Sequence, residues 1–275
     1  MTTSGTGAER NPSVNFRARM FGDYESGALD ISLQTRRIIS IPSQLGCRVG
    51  CSFCISNTVP IVRNLTADEM LALVRDCLNA EPPDGRPIEL SFTGEGEALL
   101  NWRQAKLVCE ALPSISPDFT DVRYCFSGLA AERLLPNLHA GPYPMRLQFS
   151  LHAARQELRD VLVPVSSPLG DILRALRTNA HRFSAVELNV ALSDGVNDSP
   201  ADLQALANWG DPAWPIVLNP LLQNGHEHVA GATNLFEEKL KASGRMVKRY
   251  QKIGASISRQ KLYKHLTAAR IIFRS

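Results

Sequence analysis

Apolar residues recur along the middle of the chain in two alternating rhythms. Short β-rich runs are RRIISI (36–41), PIELSF (87–92), DVRYCF (121–126), MRLQFS (145–150), VELNVAL (186–192) and WPIVLNP (214–220). Between them lie TADEMLALVRDCLN (66–79), NWRQAKLVCEAL (101–112), AAERLLPNL (130–138), LGDILRALRTN (169–179) and ADLQALANW (201–209), with apolar positions at helical spacing. Strand, helix, strand in repetition predicts parallel strands joined by right-handed crossovers, in an open sheet or a barrel. Polar or glycine residues follow nearly every strand, in SQLGC, TGEGE, SGL, SLHA, LSDGVNDS and NP. That placement favours an α/β fold of the partial (β/α)6 TIM-like barrel type, with its chemistry on one rim. The pattern divides the chain into an N-terminal arm (1–34), the barrel (35–235) and a C-terminal extension packing on it (236–275).

Composition changes this picture little. The chain has 275 residues, 44% hydrophobic and 21% charged, and no uninterrupted apolar run long enough to span a membrane. The first twenty residues carry no apolar core of a signal peptide and read as a loose arm. A cytoplasmic, reducing location follows, in which six cysteines are thiols or ligands rather than disulfides. Charge is more telling, because the net +3 hides an asymmetry. Residues 239–275 hold eleven Lys or Arg and no acid, whereas 1–238 hold nineteen against all twenty-seven acids. The basic segment could track the phosphates of RNA or be the solvated face of terminal helices.

Three of the six cysteines, Cys47, Cys51 and Cys54, fall in SQLGCRVGCSFC (43–54) with CxxxCxxC spacing on a glycine-bracketed loop. A structural zinc ion takes four protein ligands, and no further Cys or His lies nearby to complete the set. An iron–sulfur cube accepts three thiolates and leaves one iron for a small molecule. Cys77 and Cys109, inside helix patterns, and Cys125, on an apolar strand, read instead as small buried hydrophobes. GEGE (94–97) lacks the third glycine of a dinucleotide loop, and its carboxylates would repel a pyrophosphate, so it suits an amine. His226 and His228 in GHEHVA read as surface-loop residues.

CxxxCxxC with an aromatic before its last cysteine resembles the signature of the radical S-adenosylmethionine superfamily. Within it the chain is similar to the ribosomal and transfer RNA adenine C2/C8 methyltransferases. The matching segments, in order, are SQLGCRVGCSFC, VRNLTADEM, SFTGEGEALLN, FSGL, SLHAARQELRDVLVPV, ELNVALSDGVNDS and VLNP. The resemblance implies a radical SAM barrel with a [4Fe–4S] cluster on Cys47, Cys51 and Cys54, and S-adenosylmethionine on the fourth iron. It places the cofactor's amino group on Glu97, with Gly96 allowing close backbone approach. Phe53, Ser127, Ser150, His152 and Asn219 match positions that line the same cofactor. Arg63 and Asn64 read as structural, fixing the loop behind the cluster. The family has Met where this chain has Glu95, which therefore reads as a solvated loop charge.

Two departures separate the chain from that family. Ser40 stands seven residues before Cys47, where the family has a cysteine, and the region resembling its second methyl-transfer cysteine, IGASISRQKL (253–262), contains none. The barrel pattern also begins almost at once, so the helical RNA-recognition domain that precedes it in the family is not expected. A serine hydroxyl is a far poorer nucleophile than a thiol at neutral pH. The expectation is an enzyme that reductively cleaves S-adenosylmethionine and turns the 5'-deoxyadenosyl radical on a small molecule. It would draw electrons from an external flavodoxin- or ferredoxin-like donor and engage no membrane. An RNA adenine methyltransferase of altered mechanism and a non-catalytic RNA- or cofactor-binding protein are the alternatives.

Overall fold

The computed structural model describes residues 12–54, 56, 61–223 and 226–249. Six predicted strands form where the β-rich runs fall: β3 (Arg37–Ile41), β6 (Ile88–Phe92), β7 (Phe119–Phe126), β8 (Met145–Ser150), β9 (Ala185–Ala191) and β10 (Ile216–Asn219). They lie side by side, parallel and in chain order. The crossovers carry α1 (Ala67–Ala80), α2 (Trp102–Ile115), α3 (Ala131–Leu134), α4 (Gln156–Leu162) with α5 (Leu169–Asn179), and α6 (Pro200–Asn208). The fold is a mixed α/β fold around a largely parallel sheet, as the alternating rhythms predict.

Local signals account for these boundaries. Thr66 and Glu69 form a reciprocal capping box that starts α1, and Ser199 and Asp202 do the same for α6, where Pro200 occupies the first turn. Helix α1 turns Met70, Leu73, Val74 and Cys77 onto the sheet, and α2 turns Ala105, Val108, Cys109 and Leu112. Each apolar side chain of Leu or Val size so buried contributes roughly 1.5–3 kcal/mol. Cys77 and Cys109 are therefore packing residues, as their helical positions predict.

The N-terminal region corrects the expectation of a loose arm. From Ser13 onward it is an antiparallel hairpin, β1 (Ser13–Phe21) and β2 (Tyr24–Ser32), closed by the two-residue turn Gly22–Asp23. Strand β2 runs antiparallel to β3 and so extends the main sheet. Alternate residues of β2 are buried throughout, the period-2 signature of a half-buried strand. Buried Arg37 locks the hairpin down, donating twice to Asp30 at 2.8 Å and once to the Cys77 carbonyl at the end of α1. Removing either charge would strand the other in the interior.

The C-terminal boundary also shifts. Helix α7 (Thr233–Ala242) straddles residue 235, and β13 (Val247–Arg249) joins β10 as a seventh parallel strand. All five basic residues of 239–249 have intramolecular partners. Lys239 meets Glu238, Lys241 and Arg249 meet Glu237, Lys248 meets Glu187, and Arg245 donates to the Trp209 and Trp214 carbonyls. The other six basic residues of that segment lie outside the described residues. Two short hairpins, β4 (Gln44–Leu45) with β5 (Arg63–Asn64) and β11 (Leu221–Gln223) with β12 (His226–His228), decorate the rim. No helix among the described residues is long and apolar enough to cross a membrane.

Candidate active site at the carboxyl rim

The cysteine loop leaves β3 and is seated by groups from the β6–α2 connection and from β5. The Ser43 amide donates to the Glu95 carbonyl at 3.1 Å, and the Ser43 carbonyl accepts from Asn101 Nδ2 at 2.7 Å. Gln44 donates to Asn64 Oδ1 at 2.7 Å and accepts from the Glu97 amide at 2.8 Å. Arg63 pairs with both oxygens of Glu69 at 2.8 Å, tying the β4–β5 hairpin to the cap of α1. Arg63 and Asn64 thus stand behind the loop. Gln44 and Asn101 carried no signal of their own in the sequence, being ordinary polar residues near glycines.

Cys47, Cys51 and Cys54 are described and half-buried. The Ser52 amide donates to the Leu162 carbonyl at 3.0 Å, and Val49 packs with Ala153, Leu162 and Val163 in a small apolar cluster that Cys47, Cys51 and Phe53 adjoin. Burial pushes the Cys47 thiol up to about 11 against backbone donors at Val49 and Gly96, with Cys54 and Glu97 adding to the rise. Burial pushes Cys51 up to about 12, helped by Cys54 and Cys47 and opposed by Arg159. The three thiols therefore lie within one another's electrostatic reach. Among the described residues no group of three or more His, Cys, Asp or Glu is gathered tightly enough to hold a single metal ion.

Glu97 is buried at the end of β6. One oxygen accepts from the Ser127 amide at 2.8 Å and the Ser127 hydroxyl at 2.5 Å, and the other from the Leu99 amide at 3.2 Å. Burial raises its pKa, while the Ser127 and Leu99 donors oppose the rise. Gly96, at φ +92°, has no room for a side chain: a Cβ there would lie 2.6 Å from Gln44 Cβ. The close approach is thus to the residue that opens the cysteine loop.

His152 follows β8 in a left-handed conformation, φ 53°, that non-glycine residues rarely adopt. Its Nδ1 accepts from the Ala191 amide at 3.2 Å, so Nε2 carries the proton. Its ring meets Phe53 of the cysteine loop edge-on, centroids 4.5 Å apart. Burial, with Arg159 assisting, holds its pKa at about 3, so the imidazole is neutral. Asn219 hydrogen-bonds Asn189 across β9 and β10, and Ser150 pairs in register with the same Asn189. The structure brings Glu97 to Ser127 and Phe53 to His152, and sets Ser150 and Asn219 on either side of Asn189.

Arg159 ties these strand ends together. Fully buried on α4, it donates to the carbonyls of Ser127, Ser150 and Leu151, the Ser150 bond being 2.6 Å, and its guanidinium lies 4.9 Å from the Phe149 ring centre. Burial lowers its pKa to about 10, still well above neutrality. In the sequence it is one of two arginines in ARQELRD, and nothing marks it as buried.

Three expectations need correcting. Glu95 is not a solvated charge: it is buried, and its carboxylate accepts from Tyr24 Oη, Ser26 Oγ and the Gly46 amide. Cys125 is not a buried hydrophobe: it is half-buried on the inner face of the sheet, accepting from Thr93 Oγ1 at 2.8 Å and donating to Gln148 Oε1 at 3.3 Å. Ser40 donates to the Thr93 carbonyl at 3.1 Å. His226 and His228 lie in strand β12 rather than a loop, and His228 meets Asp194 at 2.6 Å at the surface. Residues 253–262 lie outside the described residues.

The inner face shared by Cys125 and Gln148 is largely polar, with Ile38 and Val217 its apolar members. Glu89 accepts from Arg123 at 2.9 Å and Arg146 at 3.0 Å, and Glu187 accepts from Arg146 at 3.2 Å and Lys248 at 2.7 Å. Nearer the rim the lining turns to uncharged Ser91, Cys125, Gln148, Asn189 and Asn219. Barrel interiors are ordinarily filled by branched apolar side chains. Here that side of the sheet carries ion pairs and uncharged polar side chains instead.

No protein-family model matches the chain. It is 36% identical over 185 residues to the dual-specificity RNA methyltransferase RlmN of Caulobacter vibrioides, covering 61% of this chain and 44% of that protein. It is 30% identical over 220 residues to the probable dual-specificity RNA methyltransferase RlmN of Symbiobacterium thermophilum, covering 75% and 58%. The chain spans about half the length of the curated relatives it matches. Among solved structures, a radical SAM methyltransferase from Sphaerobacter thermophilus superposes with a TM-score of 0.73 at 26% identity, covering 90% of this chain and 79% of that one. Sheet order, rim and these likenesses make the chain a radical-SAM superfamily protein. It is related to the RlmN-family methyltransferases.

Proposed function

We propose that the chain is a radical SAM enzyme that binds a [4Fe–4S] cluster on Cys47, Cys51 and Cys54 and acts on a small polar molecule. The observation that carries this reading is the convergence on one rim of three half-buried thiols, a buried carboxylate and a neutral imidazole. The donor set fits the cluster, because three thiols on separate turns of one loop suit separate irons rather than a single ion. When bound, the cluster supplies the electron for reductive cleavage of S-adenosylmethionine and thereby radical chemistry at a C–H bond of the substrate.

The chain's own residues bind and orient. Glu97 is held by Ser127 and Leu99 with lone pairs to spare, and burial already disfavours its charge, so the ammonium of a bound amino acid moiety relieves that cost. The His152 ring is fixed through Nδ1 and by Phe53, which leaves Nε2–H as its donor. Ser150 and Asn219 extend the same rim beside Gln148 and Asn189, a polar set that suits a hydrogen-bonding substrate better than an apolar one. Electrons would come from an external flavodoxin- or ferredoxin-like donor.

The relatives' names raise a second reading, transfer of a methyl group to RNA. Ser40 weighs against it, since a hydroxyl engaged with the Thr93 carbonyl replaces the expected thiol. Anaerobic reconstitution followed by iron and sulfide analysis and low-temperature electron paramagnetic resonance tests the proposal. One [4Fe–4S] cluster per chain is expected. Stoichiometric zinc with negligible iron would overturn it, and methyl label appearing in RNA would favour the second reading.

A further inference from the structure

Glu95 and Glu97 lie two residues apart, both buried, yet they serve different neighbours. Positive φ angles at Gly94 (+121°) and Gly96 (+92°) break the strand geometry around them. Glu97 turns toward β7 and Ser127. Glu95 turns the other way, toward the N-terminal hairpin and the start of the cysteine loop.

Its contacts join three parts of the molecule. One oxygen, Oε1, accepts from Tyr24 Oη and from the Gly46 amide at 3.0 Å, and Oε2 accepts from Ser26 Oγ at 3.0 Å. Its own carbonyl accepts from the Ser43 amide at 3.1 Å. Tyr24 and Ser26 belong to β2, and Gly46 is bonded directly to Cys47. A buried carboxylate is retained where donors satisfy it, and here they come from the hairpin and from the peptide preceding the first thiol.

We propose that Glu95 is a positioning residue for the cysteine loop: through the Gly46 amide it sets the backbone from which Cys47 projects, and through Tyr24 and Ser26 it makes that setting depend on the N-terminal hairpin. The inference rests on the reading that this loop holds the cluster. It does not involve Glu95 in the chemistry, and no contact between Glu95 and a thiol is required.

Hydrogen exchange of the metal-free protein, read peptide by peptide, tests the inference independently of the cluster. Glu95→Met keeps the length of the side chain and removes both oxygens. It should accelerate exchange about tenfold or more in residues 43–51 and 24–27 and leave α5 (169–179) unchanged. Glu95→Gln keeps one oxygen for Gly46 and Tyr24, so it should restore slow exchange at 43–51. Tyr24→Phe with Ser26→Ala should accelerate both segments less than Glu95→Met does. In reconstituted protein, Glu95→Met should release iron to a chelator about tenfold faster than wild type, with Glu95→Gln close to wild type.

Unchanged exchange at 43–51 in Glu95→Met, or acceleration that includes α5 equally, would overturn the inference, the second because Glu95 would then support only global stability. Wild-type protein that takes up no cluster would defeat the functional reading, while the exchange comparison would still decide the role of Glu95.

Discussion

Leu147 and Gln148 are neighbours on β8 and live in different worlds. Leu147 faces the helices, fully buried with Val122, Tyr124 and Leu188, whereas Gln148 lies on the inner face and accepts from Cys125. The contrast repeats along the sheet. Phe126 and Phe149 stack on the outer side, ring centres 5.0 Å apart, while Arg123, Arg146 and Asn189 line the inner side. Apolar packing is concentrated on one face, leaving the other to polar side chains and ion pairs. A chain that filled both faces with apolar side chains would have no room for a substrate.

The largest effect that sharpens this contrast is Leu147→Ala. It should cost about 3 kcal/mol in denaturant unfolding, because a fully buried leucine leaves a cavity the helices cannot close. A loss well under about 1 kcal/mol would mean that the outer face is not the main apolar core.

Next is the pH response of His152. Its pKa is lowered to about 3 from 6.5, so the neutral form is favoured on folding and the stabilisation is fully present above pH 6.5. It is lost as pH falls through the window between those values, by roughly 2.5 kcal/mol at about pH 4.5. Asparagine tolerates the left-handed backbone and offers an acceptor in place of Nδ1. His152→Asn should therefore lose less stability than wild type between pH 6.5 and about 4.5. Parallel curves would show that His152 titrates in the folded protein.

The smallest stability effect belongs to Gln148→Leu, expected within about 1 kcal/mol of wild type, since Gln148 is half-buried and its side chain accepts one long bond from a thiol. Substrate turnover should nevertheless fall. Destabilisation equal to that of Leu147→Ala would erase the distinction between the faces.

Much of this arrangement was legible in the sequence, and the exceptions have physical reasons. The six central strands are apolar on their outer side, and their runs are bounded by turn residues, so periodicity finds them. The three thiols announce themselves by spacing. The β1–β2 hairpin was missed although Gly22–Asp23 sits between two alternating runs, a recognisable turn signal. Arg159, Gln44, Asn101 and Glu95 were missed as partners because their role depends on burial and on backbone groups distant in sequence. Charge in a sequence reads as solvent, and only tertiary packing shows which charges the fold keeps inside.

Detection of 5'-deoxyadenosine decides whether the rim generates a radical from S-adenosylmethionine. Reconstituted, chemically reduced protein incubated anaerobically with S-adenosylmethionine should form 5'-deoxyadenosine and methionine. Cys51→Ser should abolish this, and Glu97→Ala should weaken cofactor affinity roughly ten- to a hundredfold, the worth of a charge-assisted hydrogen bond. Cluster-loaded wild-type protein that forms no 5'-deoxyadenosine, or a Glu97→Ala variant that binds the cofactor as wild type does, would contradict the account.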